Sequence, residues 1–130
     1  DLGDVMPLLS SATGRCFAAF MSPEVVAPLL KEELARAVKM RRTDLPATMA
    51  EVNTLLAEVR ERGAARVVDT LLPGIVAFCA PVFDADGHLV LGITTLGSVA
   101  TFDPDWGGAI DTPLRVAAAQ LSQDLGAGCA

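Results

Sequence analysis

The residues with the most specific chemistry in this 130-residue chain stand in the stretch SSATGRCFAAF, residues 10 to 20. Gly14 and Arg15 lie at the predicted start of a helix, where backbone N–H groups lack partners and the helix dipole is positive. Such a start attracts a carboxylate, and glycine lets the anion approach the backbone closely. The pattern therefore favours an anion site at Gly14 and Arg15. An alternative stays open: Gly14 only allows a neighbouring helix to pack closely, and Arg15 is a solvated cation.

The residues that could support catalysis form no familiar constellation. The only histidine, His88, follows a DADG turn and is typical of a solvated strand start, and one histidine does not make a metal cluster. Cys16 and Cys79 stand in apolar stretches, where a thiol is usually inert packing. The sequence contains no GxxxxGK[ST], GxGxxG or HExxH motif. We therefore expect no enzyme, no cofactor and no metal, with a cysteine nucleophile at either position as the alternative.

The composition predicts one soluble globular domain. The chain is 52% hydrophobic and 20% charged, and none of its apolar runs approaches the roughly 18 residues that a membrane span requires. Its net charge of −6, with basic residues scattered apart from KMRR at 39–42, is atypical of a nucleic-acid surface. Cys16, Cys79 and Cys129 form no CxxC motif, which favours reduced thiols in a cytoplasmic protein.

Three helices are marked in the first half of the chain. Ser11 is a predicted N-cap for a helix that runs to about Phe20. Ser22 and Pro23 have the residue types of the N-cap and first position of a second short helix. The most clearly marked helix covers residues 49–62, because a capping box precedes it and a glycine follows it.

The periodicity changes in the second half. A strand is predicted at 66–70 and a hairpin with strands at 75–83 and 88–96, joined by the DADG turn. A last helix is expected over 112–125, with Thr112 as its cap. This order of helices, strands and one final helix predicts an α+β fold with helices packed on an antiparallel sheet.

Four stretches carry a resemblance to a known family: PLLSSATGRCFAAF, LLAEVRERGAA, PGIVAFCAPVFDADGHLVLGITTLG and AAAQLSQDLG. In this order and spacing they resemble the C-terminal effector-binding domain of IclR-family bacterial transcription regulators. The resemblance implies a GAF or PAS-like fold, in which a curved antiparallel sheet flanked by helices encloses a small-molecule site. Family members begin with a winged helix-turn-helix, a linker helix and the first strands of the sensor. Residues 1–130 are accordingly expected to be an N-terminally truncated sensor that reaches DNA only through a domain not present in this chain.

The resemblance also implies the residues of an effector site. Ala77 stands where a cysteine is common in the family, Leu96 where a polar residue is usual, and Val67 where some members carry an acidic residue. This site is therefore expected to be more apolar, and its effector a small monocarboxylate with an apolar or aromatic body. Family members associate as dimers and tetramers, so we expect at least a dimer. The implied site residues are Gly14, Arg15, Val67, Asp69, Ala77, Cys79, Thr94 and Leu96.

Overall fold

The structure is a computed structural model that describes residues 7–126, so Cys129 lies outside the described residues. It confirms the α+β fold. Its elements in chain order are α1 (Ala12–Phe20), α2 (Pro23–Lys39), α3 (Met49–Arg62), β1 (Ala65–Val68), β2 (Ile75–Phe83), β3 (Leu89–Ser98) and α4 (Asp111–Asp124).

The three described strands form one antiparallel sheet in the order β1-β2-β3. The predicted hairpin is confirmed, and its register places Cys79 opposite Thr94 and Ala77 opposite Leu96. In β1, Val67 is paired with Ala77. Because side chains alternate between the two faces of a strand, these five residues share one face of the sheet.

The two faces of the sheet pack against different helices. On the first face Val67, Ala77 and Cys79 join Cys16 of α1 in one buried cluster, to which α3 also contributes. On the second face Phe78 and its β2 neighbours pack against α4 in a separate buried cluster. The helix α3 forms an outer layer that packs mainly on α1. None of the helices within residues 7–126 is both long enough and apolar enough to cross a membrane.

The predicted caps of two helices are confirmed. The Ser11 hydroxyl accepts the N–H of Gly14 at 2.9 Å, so Ser11 is the N-cap of α1. The Thr48 hydroxyl accepts the N–H of Glu51 at 3.2 Å, so α3 begins where its capping box indicated. Gly63 ends α3 with a φ of 76°, a left-handed conformation that glycine adopts without strain.

Two helix predictions are wrong in their bounds. The second helix is not short, because its buried stripe continues beyond Leu30 through Leu34 to Ala37. Thr112 is not the cap of the last helix, which begins one residue earlier at Asp111. The buried Asp111 carboxylate accepts the N–H of Gly107 at 2.8 Å and the Nε–H of Arg115 at 2.8 Å, and these bonds hold the start of α4.

Gly14 lies where the chain before α1 crosses the helix. A Cβ atom added to Gly14 would lie 2.0 Å from the carbonyl oxygen of Pro7 and 2.8 Å from the Cα of Leu8. Both neighbours are backbone atoms, which cannot move aside as a flexible side chain does. The close packing of Pro7 and Leu8 therefore requires glycine at this position.

This contact predicts that Gly14→Ala destabilises the protein. Helix propensity alone would make the substitution stabilising by about 1 kcal/mol. The clash with Pro7 outweighs this gain, and we expect a net loss of about 1–3 kcal/mol in the free energy of unfolding, as for other overpacked sites. Urea denaturation followed by circular dichroism measures it. An unchanged or raised midpoint would contradict the packing argument.

Candidate functional site

At the start of α1, two backbone donors lack a partner among the residues that the structure describes. The N–H of Gly14 is bonded to the Ser11 hydroxyl, and the N–H of Arg15 donates to the Ser11 carbonyl oxygen at 3.0 Å. The N–H groups of Ala12 and Thr13 have no hydrogen-bond acceptor within residues 7–126. An anion at this helix start would therefore first reach the N–H of Thr13, because Ala12 is 1% exposed, and Gly14 serves the packing of the preceding chain.

The segment before α1 is held by a carboxylate from α2. The N–H groups of Leu8 and Leu9 donate to the two oxygens of Glu33, at 2.7 and 2.6 Å. The Ser11 hydroxyl donates to the carbonyl oxygen of Pro7 at 2.7 Å. These bonds anchor residues 7–11 and so position the first turn of α1.

Four polar side chains meet where α1 crosses β2 and β3, and we call them the hydroxyl–thiol cluster: Thr13, Cys16, Cys79 and Thr94. The hydroxyl oxygens of Thr13 and Thr94 are 2.6 Å apart and share a hydrogen bond. Cys16 and Cys79 are fully buried free thiols. The cluster joins a helix to two strands that lie more than fifty residues away in sequence.

The two thiols influence each other's protonation. Hydrogen bonding to Cys79, together with burial, raises the pKa of Cys16 above its ordinary value. The pKa of Cys79 is lowered by the hydrogen bond from Cys16 and by the hydroxyls of Thr94 and Thr13, while burial opposes this shift. Cys79 is therefore the member of the pair whose sulfur accepts hydrogen bonds.

The walls beside the hydroxyl–thiol cluster are apolar. Val67 and Ala77 are buried under α1 on the same face of the sheet as Cys79. Leu96, two residues beyond Thr94, is 58% exposed. The first face of the sheet is thus closed over β1 and β2 and open along β3, next to the start of α1.

Arg15 lies away from this face. Its Nε–H donates to the carbonyl oxygen of Leu9 at 2.8 Å, and its side chain lines a cavity between α1 and α3. Desolvation lowers the pKa of Arg15, and the nearby Asp44 carboxylate partly offsets this shift. The structure therefore separates Arg15 from Thr94, although they were expected together.

Asp69 is engaged in the turn between β1 and β2. Its carboxylate accepts the N–H of Gly74 at 2.6 Å, and its backbone has a φ of 63°. The side chain is exposed. Of the residues expected at the site, the structure brings Val67, Ala77, Cys79, Thr94 and Leu96 onto one face beside Gly14.

Thr13 was missed in the sequence. It lies within the small polar run SSATG, at the second position of α1, and its hydroxyl meets Thr94 from β3. Its place two residues after the N-cap was the available signal, since N–H groups in a first helical turn have no partner within the helix.

Three side chains of the metal-ligating type lie close together at the turn between β2 and β3. Ligand-type atoms of Asp84, Asp86 and His88 lie within 4.8 Å of one another. One oxygen of Asp84 already accepts the backbone N–H groups of Asp86 at 2.9 Å and His88 at 3.0 Å, which is the ordinary bonding of an aspartate in a turn. The His88 side chain is 79% exposed, with Asp84 as its ion-pair neighbour. It lies at the exposed turn, whereas Cys16 and Cys79 are buried.

Comparisons with known proteins agree with this architecture. Residues 1–123 match the family described as bacterial transcriptional regulator IclR C-terminal. The chain is 30% identical over 128 residues to the DNA-binding transcriptional repressor YiaJ of Escherichia coli (strain K12), covering 96% of this chain and 44% of that one.

Two solved structures have a similar fold. The crystal structure of Pseudomonas aeruginosa HmgR is 34% identical, with a TM-score of 0.83, over 97% of this chain and 48% of that one. The inducer binding domain of PobR from Acinetobacter, a double mutant in complex with 3-hydroxy benzoic acid, is 15% identical, with a TM-score of 0.72, over 90% of this chain and 68% of that one. The chain thus spans less than half the length of YiaJ and of HmgR.

Glu33 offers a test of how the start of α1 is positioned. Glu33→Gln replaces one acceptor oxygen by an NH2 group, so one of the Leu8 and Leu9 N–H groups loses its partner. We expect the free energy of unfolding to fall by about 1–3 kcal/mol, the cost of an unsatisfied part-buried donor. Chemical denaturation measures the change.

The neighbouring Glu32→Gln is the matched control, because Glu32 is exposed and pairs only with Arg36 on the helix surface. Such surface pairs contribute about 0.2–1 kcal/mol. Equal effects of the two substitutions would contradict the anchoring role of Glu33.

Proposed function

This chain belongs to the IclR family of bacterial transcriptional regulators and corresponds to its C-terminal, effector-binding domain, and we propose that its effector is a small monocarboxylate. The body of the effector is apolar or aromatic. The site lies on the first face of the sheet, along β3 and beside the first turn of α1.

The observation that carries this proposal is the group of donors beside Thr94. The N–H groups of Ala12 and Thr13 lack acceptors within the described residues, and the hydroxyls of Thr13 and Thr94 are adjacent. A carboxylate accepts hydrogen bonds from both kinds of donor, and the positive end of the α1 dipole favours its charge. One carboxylate matches this group.

The surrounding surface limits what else the effector carries. Val67, Ala77 and Leu96 offer only hydrocarbon, and the free thiols Cys16 and Cys79 are fully buried and hydrogen-bond to each other. A second carboxylate or several hydroxyls against these side chains would be left unpaired, at a cost of about 1–3 kcal/mol each. This argument disfavours sugar acids and other highly oxygenated ligands.

The fold is compatible with a ligand of this kind. The PobR domain is similar to this chain in fold, and its structure is a complex with 3-hydroxy benzoic acid, an aromatic monocarboxylate. At 15% identity its pocket residues do not transfer to this chain. The preference for an apolar monocarboxylate therefore stands on the residues beside Thr94.

The proposed response to the effector is a population shift. Binding across the contact between Thr13 and Thr94 stabilises the arrangement in which α1 and β3 are close. An effector with higher affinity for that arrangement shifts the equilibrium of associated domains toward it. DNA is engaged through a winged helix-turn-helix that is not part of this chain, and the protein works in the cytoplasm.

We propose no catalytic role for the thiols. Cys16 and Cys79 are both 0% exposed, and the group that would act as their base, His88, lies at the hairpin turn. A nucleophile requires a base and an orienting group within hydrogen-bond reach, and a substrate must reach its sulfur. The thiols instead complete the packing between α1 and β2.

The proposal predicts that Thr94→Val weakens binding of the effector. Benzoate and short aliphatic acids are titrated by calorimetry against wild type and the variant. Loss of one hydrogen bond to a carboxylate reduces affinity by roughly tenfold or more. The control is Thr95→Val. Thr95 is paired with Phe78 and points to the opposite face of the sheet, so this substitution leaves the effector affinity unchanged.

Two outcomes would contradict the proposed effector class. The first is binding of a polyhydroxylated acid when neither benzoate nor the aliphatic acids bind. The second is equal weakening in Thr94→Val and Thr95→Val, which would place the ligand away from the first face of the sheet.

We also propose that the domain associates as a dimer or tetramer. Within residues 7–126 the outer edge of β3 has no partner strand, although the strand is ten residues long. Long unpaired edges with apolar side chains tend to pair with other chains unless they are covered. Val90 on this strand is 50% exposed.

Light scattering at roughly tens of micromolar, a concentration near the dissociation constant of a weak interface, tests the association. We expect at least twice the 13.5 kDa mass of one chain. Val90→Lys lowers the associated fraction, while Val25→Lys on α2, at the same 50% exposure, leaves it unchanged. A monomer in the wild type would contradict the proposal.

A further inference from the structure

Three arginines surround the Trp106 ring on the second face of the sheet. The guanidinium carbons of Arg62, Arg66 and Arg115 lie 4.5, 5.0 and 5.3 Å from the ring centroid. Energetically significant cation–π pairs occur roughly once per 70–80 residues. Three on one indole therefore concentrate positive charge at a single place in a chain whose net charge is −6.

The positive charge of this group is only partly neutralised. Arg115 is paired with the Asp111 carboxylate at 2.8 Å. Arg66 donates to the carbonyl oxygen of Pro104 at 2.9 Å, and no carboxylate within the described chain lies at ion-pair distance from Arg62 or Arg66. Like charges held this close repel each other, and an anion between them would relieve that repulsion.

A cavity of about 270 Å³ opens beside these arginines. Arg15, Arg62 and Arg66 line it together with Trp106, and Glu58 is the one carboxylate on its wall. Arg15 is partly buried and keeps guanidinium N–H groups beyond the one bonded to Leu9. Three cations against one carboxylate leave the cavity with an excess of two positive charges.

We propose that this cavity binds a small dianion, such as a dicarboxylate or an oxyanion. Guanidinium groups donate paired N–H bonds to the oxygens of such ligands, and the volume accommodates only a small one. The ligand would join α1, α3, β1 and the loop before α4, because each of these elements contributes at least one lining residue.

The dianion site is separate from the proposed effector site. Trp106 packs edge-to-face on Phe78, with ring centroids 5.6 Å apart. Phe78 and Cys79 are consecutive in β2, so their side chains point to opposite faces of the sheet. The hydroxyl–thiol cluster lies on the face of Cys79, whereas Trp106 and Arg66, which is paired with Phe78 in the sheet, lie on the face of Phe78. Arg15 is the one residue of α1 on the cavity wall, and no member of the hydroxyl–thiol cluster lines the cavity.

Trp106 makes the site directly observable. It is the only tryptophan, and the chain has no tyrosine, so intrinsic fluorescence reports on this ring. Sulfate and succinate are titrated into the whole chain at constant ionic strength, against chloride, with calorimetry as a second readout. We expect a saturable change with both dianions and none with chloride.

Three variants distinguish this site from general charge attraction. Arg62→Gln lowers the affinity for both dianions by about tenfold, which is the effect of losing one charge-assisted hydrogen bond. Glu58→Gln raises the affinity for both dianions, because it removes the carboxylate that competes for the arginines. Arg36→Gln removes one exposed cation on α2 and leaves the affinity unchanged.

The proposal is overturned by any of three results. They are the absence of a saturable signal in both readouts, an equal response to chloride, and equal weakening in Arg62→Gln and Arg36→Gln. Thr94→Val leaves dianion binding unchanged, so a failure here is independent of the effector proposed for the first face.

Discussion

The contact of the Pro7–Leu8 backbone with Gly14 is the constraint on which the site depends. It excludes any side chain at Gly14 and fixes where the chain enters α1. Glu33 holds the same segment from α2, and Ser11 both caps α1 and bonds back to Pro7. These contacts hold the first turn of α1, where the N–H groups of Ala12 and Thr13 have no acceptor among the described residues. A helix start that could tilt would not offer such a fixed position to an anion.

The alternation of side chains along β2 divides the molecule into two chemically different halves. Cys79 and its neighbours on the first face meet α1 with small and apolar side chains, whereas Phe78 meets Trp106 and α4 on the second. A strand buried on both faces transmits packing strain between them, because interiors are dense and have few voids. No β2 residue lines the proposed dianion cavity, but its Trp106 packs on Phe78 of β2, so any coupling between the two proposed ligands would pass through that contact.

The sequence was sufficient for features set by local chemistry. The Ser11 cap, the Thr48 capping box and the hairpin depend on neighbouring residues, and the structure confirms them. The length of α2 was not predicted because its second half is rich in charged residues, although its buried residues continue at helical spacing to Ala37. The direction of Arg15 was missed because it depends on Leu9 and on α3, which no local pattern brings near. The strand residues implied for the effector site share one face of the sheet, because register follows from alternation, whereas Thr13, which contacts Thr94 on that face, was not named from the sequence.

The contact between Thr13 and Thr94 is suited to transmit a binding event. Their shared hydrogen bond spans 81 positions in sequence and joins the first described helix to the outer strand of the sheet. A carboxylate that accepts from both hydroxyls replaces this single bond by two charge-assisted ones, which are roughly twice as strong. These stronger hydrogen bonds form only while α1 and β3 remain adjacent. Binding of such a carboxylate would therefore stabilise the arrangement in which these two elements are close. β3 is also an outer strand of the described sheet, and its edge is the surface proposed for association with a second chain, so the proposed effector would bind next to that surface.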